Sequence, residues 1–277
     1  MTSKLKTFEQ ICRKTRLPVS MVLENLLPVV SGSRHASIVY LDNFDVSQIH
    51  PKKGLRDGYY AGIKRAIEEF GIGARKTNQT TEQRVVIPRI IFYSAPHLPE
   101  VEALIGDSEA VQSGFNGSCD STFVGVIKKE GRLLGVPECC SETFATVRIA
   151  CYRRRETTHQ ENRIKQQLQD AFPTLTLDAA GDAVLGFWAN EIYPCSISCQ
   201  PARDTGRRIL ESFEDPRLAE VYRTAVMFRN LRSCRNYNTP SSGFGTVAVR
   251  QRNYERDQEV FRAFLGQGID LKQVLKK

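Results

Sequence analysis

From Val85 onward, short β-branched apolar runs alternate with helix-like segments, and this alternation constrains the fold more than any other feature of the chain. Val85 to Tyr93 is apolar and β-branched, and Glu100 to Val111 has the pattern of a helix. Thr122–Ile127 and Arg132–Val136 read as two short strands joined by Lys128-Lys129-Glu130-Gly131, a charged, glycine-containing turn of the kind that closes a hairpin. Thr146 to Tyr152 reads as a further strand. Ile164, Leu168 and Phe172 then recur at four-residue spacing on one helical face. Ala183 to Trp188 is a short apolar strand, Pro194 introduces a helix through about Phe213, Thr246 to Arg250 closes the sheet, and Glu255 to Leu265 makes a last amphipathic helix. Strands interleaved with helices in this way predict a layered α/β domain.

The N-terminal part reads differently. Phe8, Ile11, Cys12 and Thr15 recur at helical spacing, as do Val19, Val22, Leu23, Leu26 and Leu27 after Pro18. Pro28 and Ser31-Gly32-Ser33 stop the second helix. Ala36 to Leu41 is β-rich, and Tyr59 to Phe70 reads as a helix ending at Gly71. The polar stretch Gly73 to Gln83 reads as a linker or exposed loop. The expected division is therefore a mixed N-terminal region of unassigned role over 1–83 and an α/β domain over 84–277.

The chain of 277 residues carries 39 Lys+Arg against 31 Asp+Glu, a net charge of +8, and is 41% hydrophobic, which fits a folded protein rather than a disordered or fibrous one. No window approaches the ~18 consecutive apolar residues of a membrane span. The opening Met1-Thr2-Ser3-Lys4-Leu5-Lys6 lacks the apolar core of a signal peptide. The expectation is a protein of a reducing compartment, the cytoplasm by default, with nucleus or export as an effector left open. Surplus positive charge suits a phosphate-bearing partner. Arginine is bunched at Arg153, Arg154 and Arg155, at Arg203, Arg207 and Arg208, and more loosely from Arg229 to Arg252. A solvated, salt-bridged face explains such runs equally well.

Eight cysteines at irregular spacing do not form a disulfide framework in a chain of this length. Two short motifs fall at the expected starts of helices: His159-Gln160-Glu161, and Pro194-Cys195-Ser196-Ile197-Ser198-Cys199. A catalytic zinc ion takes three imidazole or thiolate ligands and keeps a fourth position for water, and His159, Cys195 and Cys199 meet that count. On a helix, Cys195 and Cys199 share a face. A helix N-terminus also favours the thiolate form. Glu161 is then placed to serve as a general acid/base without ligating the metal.

In these motifs the chain resembles the zinc-dependent cytidine deaminase-like superfamily, whose signature is H-x-E followed by P-C-x-x-C. The resemblance spans roughly Pro99 to Arg252 and includes element order: a helix, a β-hairpin, a helix opening with His-x-Glu, a strand, and a helix opening with Pro-Cys. It implies a mixed central sheet with helices on both faces, zinc held by His159, Cys195 and Cys199, and proton transfer by Glu161. The implied activity is hydrolytic deamination of a nucleobase, most directly cytosine to uracil, in a nucleoside or a single-stranded nucleic acid. The spacing here is P-C-x-x-x-C, one residue longer than the commonest form. The asparagine that holds the ribose in many relatives has no counterpart in Gly135-Val136-Pro137-Glu138.

Plainer readings stand beside these. Thr158 to Glu161 is also a capping box. Trp188 and Tyr193 are candidate walls of a base pocket and equally ordinary core aromatics, and Arg153, Arg154 and Arg155 are a candidate rim for a polynucleotide. Cys139 and Cys140 are adjacent and their side chains diverge in a regular backbone, so together with Cys151 they read as core residues. Cys12, Cys119 and Cys234 show no pairing pattern, and His35, His50 and His97 read as surface or satisfied polar residues. Two other functions compete with deamination. One is a magnesium-dependent nuclease centred on Asp42 and Asp45 at the end of a strand. The other is a catalytically inactive binding module that keeps a structural zinc. Oligomeric state is not legible.

Overall fold

A computed structural model describes residues 25–40, 53–80, 86–113, 120–154 and 192–213, with Gln167, Gly186, Trp188, Pro216, Ala219, Glu220, Tyr222, Arg223 and Val226. Outside the described residues lie the helix expected from Phe8, the acidic pair Asp42 and Asp45, His50, His159, Glu161, Arg155 and the segments expected from Ile164 and Thr246 onward. No helix among the described residues is long and apolar enough to cross a membrane.

The elements run in the order α1 (Leu27–Val30), β1 (Ala36–Tyr40), α2 (Lys53–Phe70), β2 (Ile72–Thr80), β3 (Val86–Ser94), a 3₁₀ turn (Ala95–His97), α3 (Leu98–Ser113), α4 (Asp120–Leu133), α5 (Glu138–Arg154) and α6 (Gln200–Glu211). The fold of the described residues is mixed α/β, with three strands among them in one antiparallel sheet of order β1-β3-β2. Tyr93 faces Ala36 in β1 and Gly73 in β2.

The central strand is the β-branched run that the sequence singles out. Ile90, Ile91, Phe92 and Tyr93 are all buried, so both faces of β3 are covered. Helices α1 and α3 pack on β3, α2 and α3 on β2, α4 on α3 and α5 on α4. One main core joins Leu26 and Leu27, the strands, Val101 and Leu104 of α3, Leu133 and Leu134, Trp188, Ile209 and Tyr222. Sheet and core draw on residues from both sides of position 83.

Four expected elements differ. Gly73 to Gln83 is not a loop, because β2 occupies Ile72–Thr80 and pairs with β3 along its whole length. Its polar side chains suit the outer strand of the described sheet, which backbone pairing holds without an apolar pattern. The expected hairpin at 122–136 is instead the helix α4 as far as Leu133, followed by a turn. Its charged triplet points to three neighbours: Lys128 to Glu142 of α5, Lys129 to Asp107 of α3, and Glu130 to Arg89 of β3. Gly131 marks a close crossing rather than a turn, since a Cβ there would collide with the Ser141 hydroxyl of α5. The expected strand at 146–152 lies in α5, where Thr143 and Thr146 return their hydroxyls to the carbonyls of Cys139 and Glu142, four residues back. Pro28 does not stop a helix but sits in the first turn of α1, and Ser31 with Gly32 at φ +76° ends it.

Candidate metal centre

Helix α4 ends in a tight reversal. Gly135 takes φ +74°, its N–H reaches the Arg132 carbonyl at 3.0 Å, and the Val136 N–H reaches Gly131 at 2.7 Å. These two bonds are the reversal that glycine permits after a helix. Pro137 follows, and α5 begins at Glu138. Cys139 and Cys140 are thus the second and third residues of α5, in its first turn.

The partner segment is the other cysteine motif. The residues after Pro194 form a turn rather than a helix, closed by the Cys199 N–H on the Ser196 carbonyl at 3.1 Å. Cys199 is the N-cap of α6, with φ −60° and ψ 103°, and Pro201 lies in the first turn. Cys195 and Cys199 therefore meet across a turn and not along one helical face. The Ile197 N–H donates to Gln167 Oε1 at 3.3 Å and Arg203 Nη2 donates to the Ile197 carbonyl at 3.0 Å, which fixes the turn.

These two segments bring four sulfurs together. The Sγ atoms of Cys139, Cys140, Cys195 and Cys199 all lie within 4.8 Å of one another, a grouping that can hold a metal ion. Cys140 and Cys199 are 3.5 Å apart, Cys139 and Cys199 3.8 Å, and Cys139 and Cys140 3.9 Å. None is a disulfide, which requires ~2.05 Å. A tetrahedron with zinc–sulfur bonds of ~2.3 Å has edges of ~3.8 Å, so these three separations match one face of such a tetrahedron, with the Cys195 sulfur within 4.8 Å of its corners. Sulfurs around a multi-iron cluster stand farther apart, because several irons and sulfides lie between them.

Burial of the four is graded. Cys140 and Cys199 are buried, Cys195 is partly so, and Cys139 is exposed. With Ala202, Val136 and the rim of Cys195, the two buried cysteines form a small cluster apart from the main core. The Cys195 N–H donates to Cys140 Sγ at 3.4 Å, a bond that supports negative charge on sulfur. Burial pushes the Cys140 thiol up. The Cys195 N–H opposes that push, and the neighbouring sulfurs of Cys199 and Cys195 add to it. A cation among the sulfurs removes their mutual repulsion.

The structure places the other candidates as follows. His159 and Glu161 are outside the described residues, so of the expected ligand set only Cys195 and Cys199 are seen, and they meet Cys139 and Cys140. Cys140 packs in a buried cluster, as expected of a core residue, and the adjacent pair also belongs to the four-sulfur group. Two neighbouring residues at a helix start diverge less from a ligand set that lies off the helix tip than from one beside its axis. Spacing alone does not show this. Trp188 is 1% exposed, with the Arg34 guanidinium 4.8 Å from its ring centre, so its face is already covered. Tyr193 is partly buried, two residues before Cys195 in the chain. Arg153 and Arg154 close α5, and their side chains lie outside the described set. In the second arginine run, Arg207 pairs with Asp204 at 2.9 Å and Arg208 Nη2 donates to Thr205 Oγ1 at 2.9 Å. His35 and His97 stack at 4.0 Å, and His97 meets Glu100 at 2.7 Å, as satisfied polar residues do.

Compared with protein-family models, curated proteins and solved structures, the chain finds no match.

Proposed function

We propose that Cys139, Cys140, Cys195 and Cys199 hold one zinc ion in a closed tetrahedral set, and that the ion is a structural staple in a binding module. One observation carries this reading: four thiols lie within 4.8 Å of one another, and the separations among Cys139, Cys140 and Cys199 are those of one face of a tetrahedron around a single ion. Four protein sulfurs leave no coordination position for water, and a catalytic zinc needs one. The staple sits where it is most useful, in a small apolar cluster that joins the start of α5 to the cap of α6 away from the main core. A partner bearing phosphates suits the net charge of +8.

The deaminase reading draws Cys195 and Cys199 into a set with His159 and an open site, so the two readings compete for the same two sulfurs. Elemental analysis of the purified full chain separates them. The expected result is about one zinc per chain, retained by His159→Ala and lost by Cys140→Ser, with no ammonia released from cytidine, deoxycytidine, single-stranded DNA or RNA. Zinc that depends on His159, together with ammonia release that depends on Glu161, overturns the staple. So does a chain that binds no metal.

A further inference from the structure

We infer that Cys139 is an oxidation site and that the centre is a redox-controlled staple: a peroxide oxidises Cys139, Cys199 resolves it to a disulfide, and the ion is expelled. This rests on the metal reading above.

The grading of exposure sets the order of events. Cys140 is fully buried and Cys199 is 6% exposed, Cys195 is intermediate, and Cys139 is exposed as a residue with its sulfur in part-buried contacts, so an oxidant from solvent reaches the cluster from the Cys139 side. The Cys139 thiolate attacks one peroxide oxygen. An S–O bond forms, the O–O bond breaks, and hydroxide leaves to take up a proton as water. Cys139 is then a sulfenic acid, two electrons more oxidised, and the peroxide has been reduced. A second thiolate next attacks the Cys139 sulfur. The S–S bond forms, the S–O bond breaks, and a second hydroxide leaves as water on protonation. In total, two thiolates, one hydrogen peroxide and two protons give one disulfide and two waters.

Geometry selects the resolving residue. Cys140 Sγ is 3.9 Å from Cys139 Sγ, but the two are neighbours in the first turn of α5, and a bridge between them closes a small ring against helical backbone. Cys199 Sγ is 3.8 Å away on a separate segment, free of that restraint. Its bridge to Cys139 leaves two sulfurs, Cys140 and Cys195, too few for a tetrahedral site. The ion is lost while α5 and the cap of α6 stay tied, now covalently. Thiol reductant and zinc restore the first state.

The test is zinc-loaded full-length protein treated with hydrogen peroxide, with zinc release read by a chromogenic chelator and the cross-link mapped by mass spectrometry. The expected result is about one zinc released per chain, a Cys139–Cys199 linked peptide, dimedone trapping at Cys139, and recovery with dithiothreitol and zinc. Cys139→His keeps a ligand and removes the oxidisable sulfur, so its release should be at least tenfold slower. If that variant fails to hold the ion, dimedone trapping in the unaltered chain decides. Zinc retained through peroxide, release as fast in Cys139→His, or trapping at a different cysteine overturns the switch alone. A chain that carries no metal before peroxide is added overturns the metal reading and the switch with it.

Discussion

Cys140 and Cys199, 59 residues apart in the chain, place their sulfurs 3.5 Å from each other at the starts of two different helices. The approach depends on the reversal at Gly135 and Pro137 on one side and on the Ser196–Cys199 turn on the other. Neither is a long-range contact, yet together they build the most concentrated chemistry among the described residues.

Removal of the ion should be visible as stability. A metal that binds only the folded state stabilises it by its binding free energy, and a ligand's loss exceeds the ~10–100-fold affinity cost of losing an outer-shell partner. EDTA should lower the melting temperature of the unaltered protein by several degrees, at roughly 2–4 °C per kcal/mol for a domain of this size. Cys199→Ser should start at the lowered value and show no response to EDTA. An equal EDTA response in the two proteins would count against the site.

Two glycines of α4 should respond oppositely to the same substitution. Nothing lies within 4 Å of a Cβ added at Gly125, so Gly125→Ala should stabilise by about 1 kcal/mol, the ordinary helix gain. At Gly131 the added methyl meets Ser141, and Gly131→Ala should cost about 1–3 kcal/mol. Ser141→Gly in the same chain should return part of that loss. Urea denaturation of the four proteins reads all of it, and a stabilising Gly131→Ala would mean that α4 and α5 do not cross there.

The central strand is tied to α4 by Arg89 and Glu130, 2.8 Å apart with the arginine side chain 2% exposed and the glutamate 18%. Removing one charge of a buried pair costs more than removing both. Glu130→Ala should destabilise by about 3 kcal/mol, whereas Arg89→Met with Glu130→Leu should cost markedly less. A double variant as unstable as the single one would show that the charges matter less than the packing of their stems.

Acid should weaken the fold through His35. Its pKa is held down by burial and by neighbouring His97, with Glu100 partly offsetting both. The unfolded chain therefore takes up a proton at a higher pH than the folded one. Stability attached to His35 is whole above the ordinary histidine value of ~6.5 and falls as the pH drops below it. Melting temperatures measured between pH 7.5 and 5 should decline less steeply in His35→Gln. Parallel declines would show that other groups govern the acid limb.

Local pattern by itself determined β1, β3, α2 and α3, because each has a period or an end signal that needs no partner: β-branched runs, and Gly71 at φ +64° closing α2. It also marked Cys195 and Cys199 as chemistry-bearing residues. Tertiary structure decided the rest. Strand β2 exists because β3 supplies its backbone partners, and the segment 120–133 is helical because its charged triplet and Gly131 find their places on β3, α3 and α5. Cys139 and Cys140 joined the site only when the chain reversed at Gly135. Ligand sets are made by convergence in space, and convergence between residues 59 positions apart leaves no period in the sequence.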